Sequence, residues 1–255
     1  MTKVIKYVVF DVIRNKFVIG YALLLFLLCF SFFGFEQDSA KGLLSILNIN
    51  MIVVPLVSVI FSTIHFYNSY EFLELLSAQP ISRKTIFFSQ YFGVCITLSL
   101  AFLLGVGVPT LIFDGSAGGV TLVYTGLLLT VVFVSLAFLA SVLTKDKAKG
   151  IGLALAMWFY FSLIYDGLVL SIFLMFSDYP MEKATLVFTA LNPTDLARIL
   201  VLMKLDISAL MGITGAVFQD FFSSGVGIAF ALSMLFLWIF FPIKIASSVF
   251  NKKDL

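Results

Sequence analysis

Residues 115–144 read GSAGGVTLVYTGLLLTVVFVSLAFLASVLT, thirty residues without one charged side chain. As a helix, such a run is long enough to cross the hydrocarbon core of a bilayer, which takes about 20 apolar residues. Outward from it, further uncharged stretches lie at 17–35, 42–70, 85–113, 150–177 (interrupted by Asp166) and 221–243. Composition points the same way. The chain is 61% hydrophobic and 12% charged, whereas soluble domains run about 45–50% apolar and about 25% charged. Its 30 phenylalanines are more apolar surface than one globular core can bury. A water-soluble globule is excluded, and no segment is both long and polar enough to form a separate soluble domain. The expected fold class is all-α: a polytopic membrane protein with six transmembrane helices.

The spans are expected at about 17–35, 46–67, 85–113, 120–143, 151–176 and 224–248. Pro55 falls inside the second and Pro109 near the outer end of the third, positions tolerated where neighbouring helices or waters satisfy the freed carbonyl. The first stretch starts at Phe17 and no A-x-A site follows it, so it reads as an anchor, not a cleaved signal. Ahead of it, residues 1–16 place Val4, Tyr7, Val8 and Asp11 at helical spacing with lysines alongside, which predicts a cytoplasmic interfacial helix. Residues 17–255 are then the six-span domain. Asp114 to Gly119 make an outward turn. In the long outer loop, 177–223, Asn192 can cap a helix with Pro193 in its first turn and Leu196, Ile199, Leu200 and Met203 on one face. A second apolar stretch, 207–218, is too short to span.

The loops divide the charge unevenly. The N-terminal arm, the second and fourth loops and the C-terminal end hold 12 of the 16 basic residues, while the odd-numbered loops hold Lys41, Lys183, Arg198 and Lys204 and 8 of the 14 acids. By the positive-inside rule both termini are cytoplasmic, as an even number of spans requires.

Few chemistries have their parts here. A phosphate-binding G-x-x-x-x-G-K-[ST] loop is absent, one histidine cannot make H-E-x-x-H, and there is no G-x-S-x-G elbow. His65, near the inner end of span 2, reads as an interface side chain. Cys29 and Cys95 lie inside apolar spans, where a thiol behaves as a small hydrophobe. Tyr165-Asp166 lacks the second carboxylate that an intramembrane aspartyl protease needs, because Gly225-Val226-Gly227 is followed by Ile228. An ionisable side chain as deep as Asp166 costs about 2.5–3.5 kcal/mol on insertion scales. It is either a hydrogen-bond acceptor at a helix contact, the preferred reading, or a titrating group in an ion-gradient-driven secondary transporter or channel. Met175, Met181, Met203 and Met211 lie towards the outside and are soft donors; without clustered Cys or His they read as gap-filling.

The inner loop between spans 2 and 3, YEFLELLSAQPISRK (70–84), puts Glu71 and Glu74 on one helical face beside Phe72, Leu73, Leu75 and Leu76. Pro80 stops that helix and Ser82 can cap the next. Four segments, ELLSAQPISR (74–83), Tyr165-Asp166, LNPTDLAR (191–198) and FNKKDL (250–255), resemble those of ABC-2 type permeases, in the branch that serves copper-site maturation of nitrous oxide reductase. With six spans and inward termini, the likeness covers the whole chain.

The resemblance implies a type V exporter-like permease in the cell inner membrane, without enzymatic activity of its own. It further implies that the chain binds no cofactor of its own and that ATP and Mg belong to a separate cytoplasmic ABC ATPase. Further implied partners are membrane lipid, a second copy of the chain meeting it through spans 1 and 5, and a periplasmic accessory protein; nucleic acid is not among them. The helix at about 70–80 would be the coupling helix, with Glu71, Phe72, Leu73, Glu74, Leu75, Leu76 and Gln79 engaging the ATPase. Tyr165 and Asp166 would be intramembrane polar residues, and Asn192, Pro193, Asp195 and Arg198 an outer-loop motif.

Overall fold

The computed structural model describes residues 2–35, 39–77, 81–176, 182–205 and 225–252, and among them every regular element is a helix. In chain order these are α1 (Thr2–Ile13), α2 (Lys16–Phe35), α3 (Ser39–Asn68), α4 (Tyr70–Ser77) and α5 (Arg83–Phe113). They continue with α6 (Ala117–Leu143), α7 (Lys147–Met175), α8 (Glu182–Ala190), α9 (Pro193–Lys204) and α10 (Gly225–Lys252). Six of them, α2, α3, α5, α6, α7 and α10, are long and apolar enough to cross a membrane. Helices α8 and α9 meet in a bend of 113°, an elbow too sharp for one straight span. The 207–218 stretch lies outside the described residues.

Local capping sets where the spans begin. Ser82 accepts from the Thr85 amide at 3.3 Å and opens α5. Ser116 accepts from the Gly119 amide at 3.3 Å, so α6 starts at Ala117, three residues before the expected 120. Asp146 does the same for Lys149 at 3.0 Å and starts α7 at Lys147. Each cap supplies an acceptor to an amide that the first helical turn leaves without one.

Helix α6 is the axis of the bundle: 72% of its most apolar stretch is buried, against 11% for α7, and α3, α5, α9 and α10 all pack on it. Its hydroxyls enter this core by donating to carbonyls one turn back, Thr125 to Thr121 at 2.8 Å, Thr130 to Gly126 at 2.9 Å and Ser141 to Ala137 at 2.7 Å. Gly126 is needed for packing, because the Phe102 ring of α5 occupies the space a Cβ would take. At one end an aromatic knot joins four helices: Phe66 and Phe87 meet Phe138 edge-on at 5.5 and 5.7 Å, and Phe87 lies 5.2 Å from Phe250. Pairs of this kind are worth about 0.5–1.5 kcal/mol beyond their burial.

The loops at that end are tied together as well. The Tyr67 hydroxyl lies 2.6 Å from Thr144 Oγ1, and Lys147 Nζ donates to Asn68 Oδ1 at 2.8 Å. Helix α1 lies along α5, with Val8 2% and Val12 1% exposed. Its buried stripe therefore runs through Val8 and Val12, whereas Tyr7 and Asp11, on the stripe expected from spacing, are exposed.

Two spans contain a wide, π-helical turn, Leu103–Gly107 in α5 and Tyr160–Ile164 in α7. The first brings Gly105 against α2, where a Cβ would stand 2.9 Å from the Ala22 carbonyl oxygen and 2.7 Å from Leu25 Cβ. The second lies directly before Tyr165 and Asp166.

Candidate functional site

The sequence singles out two motifs 26 residues apart, and the structure joins them at the end of the bundle away from the aromatic knot. Asn192 sits in extended backbone (φ −123°, ψ 114°) and caps α9, its Oδ1 accepting from the Thr194 amide at 3.0 Å while Pro193 takes the first helical position. The other half of the same amide, Nδ2, donates to the Phe161 carbonyl at 3.0 Å. Phe161 lies in the wide turn of α7, where carbonyls lose regular i+4 partners. Asn192 thus closes two backbone defects with one side chain. Tyr165 donates its hydroxyl to the Phe188 carbonyl at 2.6 Å, and Trp238 Nε1 of α10 donates to the Ala190 carbonyl at 3.2 Å. Both carbonyls lie in the last turn of α8, where that of Phe188 also accepts from the Leu191 amide at 3.1 Å.

Arg198 Nη1 lies 3.3 Å from Asp166 Oδ2 and 3.9 Å from Asp195 Oδ1. Two carboxylates therefore compete for one guanidinium beside a cavity of about 240 Å³, which Thr185 and Thr189 also line. Burial pushes the Asp195 carboxyl up to about 7; the neighbouring Asp166 acts in the same direction and Arg198 only partly offsets them. With Asp195 protonated the trio is neutral, and with it ionised the trio carries one net negative charge. Asp166 has an arginine as its partner, which answers the cost of an ionisable group at that position.

At the other end, α4 holds Glu71 and Glu74 exposed and leaves Leu75 69% exposed. Phe72 is half-buried, its ring stacked on Tyr7 of α1 at 5.2 Å. Leu73 and Leu76 belong to the same helix, while Gln79 and Pro80 lie outside the described residues. His65, read from sequence as an interface side chain, is buried instead, with Nε2 3.1 Å from Gln90 Oε1 and the ring stacked on Phe61. Cys29 and Cys95 are free and buried. Among the described residues no three His, Cys, Asp or Glu side chains group as metal ligands. Met175 is 78% exposed, and Met181 and Met211 lie outside the described residues.

Sequence reasoning did not foresee α8, the wide turns, or the contacts of Trp238 and Tyr165 with α8. One signal for the elbow was present: Asn192-Pro193 both ends a preceding helix and starts the next.

Comparison with known proteins bears on the whole chain. Residues 44–255 match the ABC-2 family transporter protein family. The chain is 25% identical over 268 aligned residues to a protein of Pseudomonas aeruginosa described as a probable ABC transporter permease protein NosY, covering 96% of this chain and 95% of that one. A protein of Stutzerimonas stutzeri with the same description is 29% identical over 197 residues, covering 71% of this chain and 68% of the relative.

Proposed function

Since this chain belongs to the ABC-2 transporter family and is a permease subunit of an ABC transporter, we propose that it converts ATP hydrolysis on a separate cytoplasmic ATPase into movement of its own α7 and α8–α9 elbow. The observation that carries this reading is α4. An eight-residue helix that leaves Leu75 69% exposed next to exposed Glu71 and Glu74 has apolar area that the described residues do not cover, beside charge fit for an interface. An ATPase cleft lined with basic residues would cover the one and pair the other.

A mechanical route runs from that end through α7. This helix begins at Lys147, whose ammonium holds the Asn68 side chain just before α4, and it carries Asp166 on Arg198 near its other end. It is also the span least packed by the rest of the chain, with 11% of its apolar stretch buried, so it can shift without breaking the core around α6. The same uncovered face, with that of α2 at 28%, supports a second copy of the chain seated there, and two copies would stand on two ATPase subunits. Placing α4 in the cytoplasm of an inner-membrane protein follows from the basic residues at its end.

The likeness to proteins described as NosY supports assignment to the branch that matures the copper site of nitrous oxide reductase, with motion of the α8–α9 elbow passed to a periplasmic partner. The pairing of Asp166 with Arg198 gives no support to the gradient-driven alternative. The test is co-purification of the ATPase with a Glu71→Lys, Glu74→Lys double variant. Close charge pairs at an interface are worth about 1.5 kcal/mol or more each, so docking should weaken by tenfold or more while insertion is unchanged. Undiminished docking and stimulated hydrolysis would move the ATPase contact to another loop.

A further inference from the structure

A groove of about 960 Å³ runs between α5 and α10 on the flank of the bundle. Its two walls change chemistry at the same level. On α10, Phe236 and Phe240 give way one turn later to Lys244, Ser247 and Asn251, all on one face at helical spacing. On α5, which runs the opposite way, Lys84 stands at the same end and Phe88 and Phe92 follow it inward. The lysine-to-phenylalanine distance along either wall, Lys84 to Phe92 or Lys244 to Phe236, is about 12 Å at helical rise. That matches the greater part of one leaflet's hydrocarbon depth, about 15 Å.

Among the described residues no acid lines this groove, and neither Lys84 nor Lys244 has a carboxylate partner. Lys244 rests on the Phe240 ring at 5.4 Å, which keeps its ammonium at the boundary between the two halves. Phe92, Phe236 and Phe240 are 40–58% exposed, so the apolar half opens to lipid and not into the core. A cationic head region above an apolar slot, both open sideways, is complementary to an anionic amphiphile.

We propose that this groove is a binding site for one anionic glycerophospholipid. Its phosphate sits between Lys84 and Lys244, with the Ser247 hydroxyl and Asn251 amide as further donors, and an acyl chain lies along Phe88, Phe92, Phe236 and Phe240. Basic pockets between spans at the charged end of a bundle hold lipid headgroups by the same logic. The site does not depend on the ATPase contact at α4 or on which face is cytoplasmic, so it can fail while those stand.

The test is a titration of the detergent-purified full-length chain with phosphatidylglycerol, phosphatidylcholine and inorganic phosphate, read by native mass spectrometry. One phosphatidylglycerol per chain should bind more tightly than phosphatidylcholine, and inorganic phosphate at the same concentration should not displace it. Each surface lysine contributes about fivefold to such affinity, so Lys84→Gln with Lys244→Gln should weaken phosphatidylglycerol about 25-fold and leave phosphatidylcholine unchanged. Lys84→Arg with Lys244→Arg should retain the wild-type preference, which separates lost charge from lost folding. Equal affinity of the Gln variant and the wild type for phosphatidylglycerol would overturn the proposal. So would equal affinity of the wild type for the two lipids, or full displacement by inorganic phosphate.

Discussion

Arg198 shows how one residue's value depends on partners that spacing cannot reveal. Asp195 is three residues before it on α9, a relation legible in the sequence, but Asp166 is on another span and comes within 3.3 Å only because the elbow folds back. The consequence is a stability that depends on pH. The Asp195 carboxyl is raised from 3.8 to about 7 in the folded chain, first by burial and then by Asp166. A raised carboxyl pKa means that the folded state keeps a proton the unfolded state releases, so the contribution is complete below about 4 and is lost as pH rises towards 7. Thermal unfolding in detergent should therefore show the wild type losing stability between pH 4 and 7, by a few degrees in Tm. Asp195→Asn should remove most of that slope and be the more stable protein at pH 8. Parallel curves for the two proteins would mean that Asp195 is ionised throughout.

Among the elements, those governed by near neighbours were readable and those governed by distant ones were not. Five uncharged runs and a sixth interrupted by Asp166 mark the six spans, within four residues at every end except the start of α3, which lies seven residues before the expected 46. Ser82 and Asn192 announce helix starts through an acceptor two or three residues from the amide it serves. The wide turn at Tyr160–Ile164 has no proline or glycine to mark it, and its closing donor lies 31 residues away in Asn192. Substitutions can separate the two jobs of that side chain. Asn192→Asp keeps an acceptor for Thr194 and loses the donor to Phe161, whereas Asn192→Ala loses both. A lost cap costs about 1 kcal/mol and an unsatisfied buried carbonyl about 1–3 kcal/mol. Thermal stability should fall in the order wild type, Asp, Ala, with the larger step at the loss of the Phe161 bond if that carbonyl stays dry. An Asp variant as stable as the wild type would show that water serves Phe161 instead.

For the whole molecule, the charge asymmetry becomes spatial once the bundle is assembled. Tyr7 on Phe72, Lys147 on Asn68 and Phe87 on Phe250 bring α1, α4, the start of α5, the start of α7 and the end of α10 to one end. The basic residues that these elements carry among the described residues therefore gather at that end, while Asp114 and the Asp166–Asp195–Arg198 trio lie at the other. Since retained positive charge sets orientation, the α4 end should face the cytoplasm. Single cysteines test this directly. Gly115 is exposed, and a Cβ there would meet nothing nearer than the Leu111 carbonyl oxygen at 3.7 Å; Ala148 is exposed at the basic end. Gly118 is a poor probe of the same loop, because Leu205 fills the space beside it. The native thiols, Cys29 and Cys95, are buried and should stay silent. A membrane-impermeant maleimide added to spheroplasts should label Gly115→Cys at once and Ala148→Cys only after permeabilisation. The reverse pattern would put α4 outside, where no cytoplasmic ATPase can reach it, and the coupling role proposed for Glu71 and Glu74 would fall with the orientation.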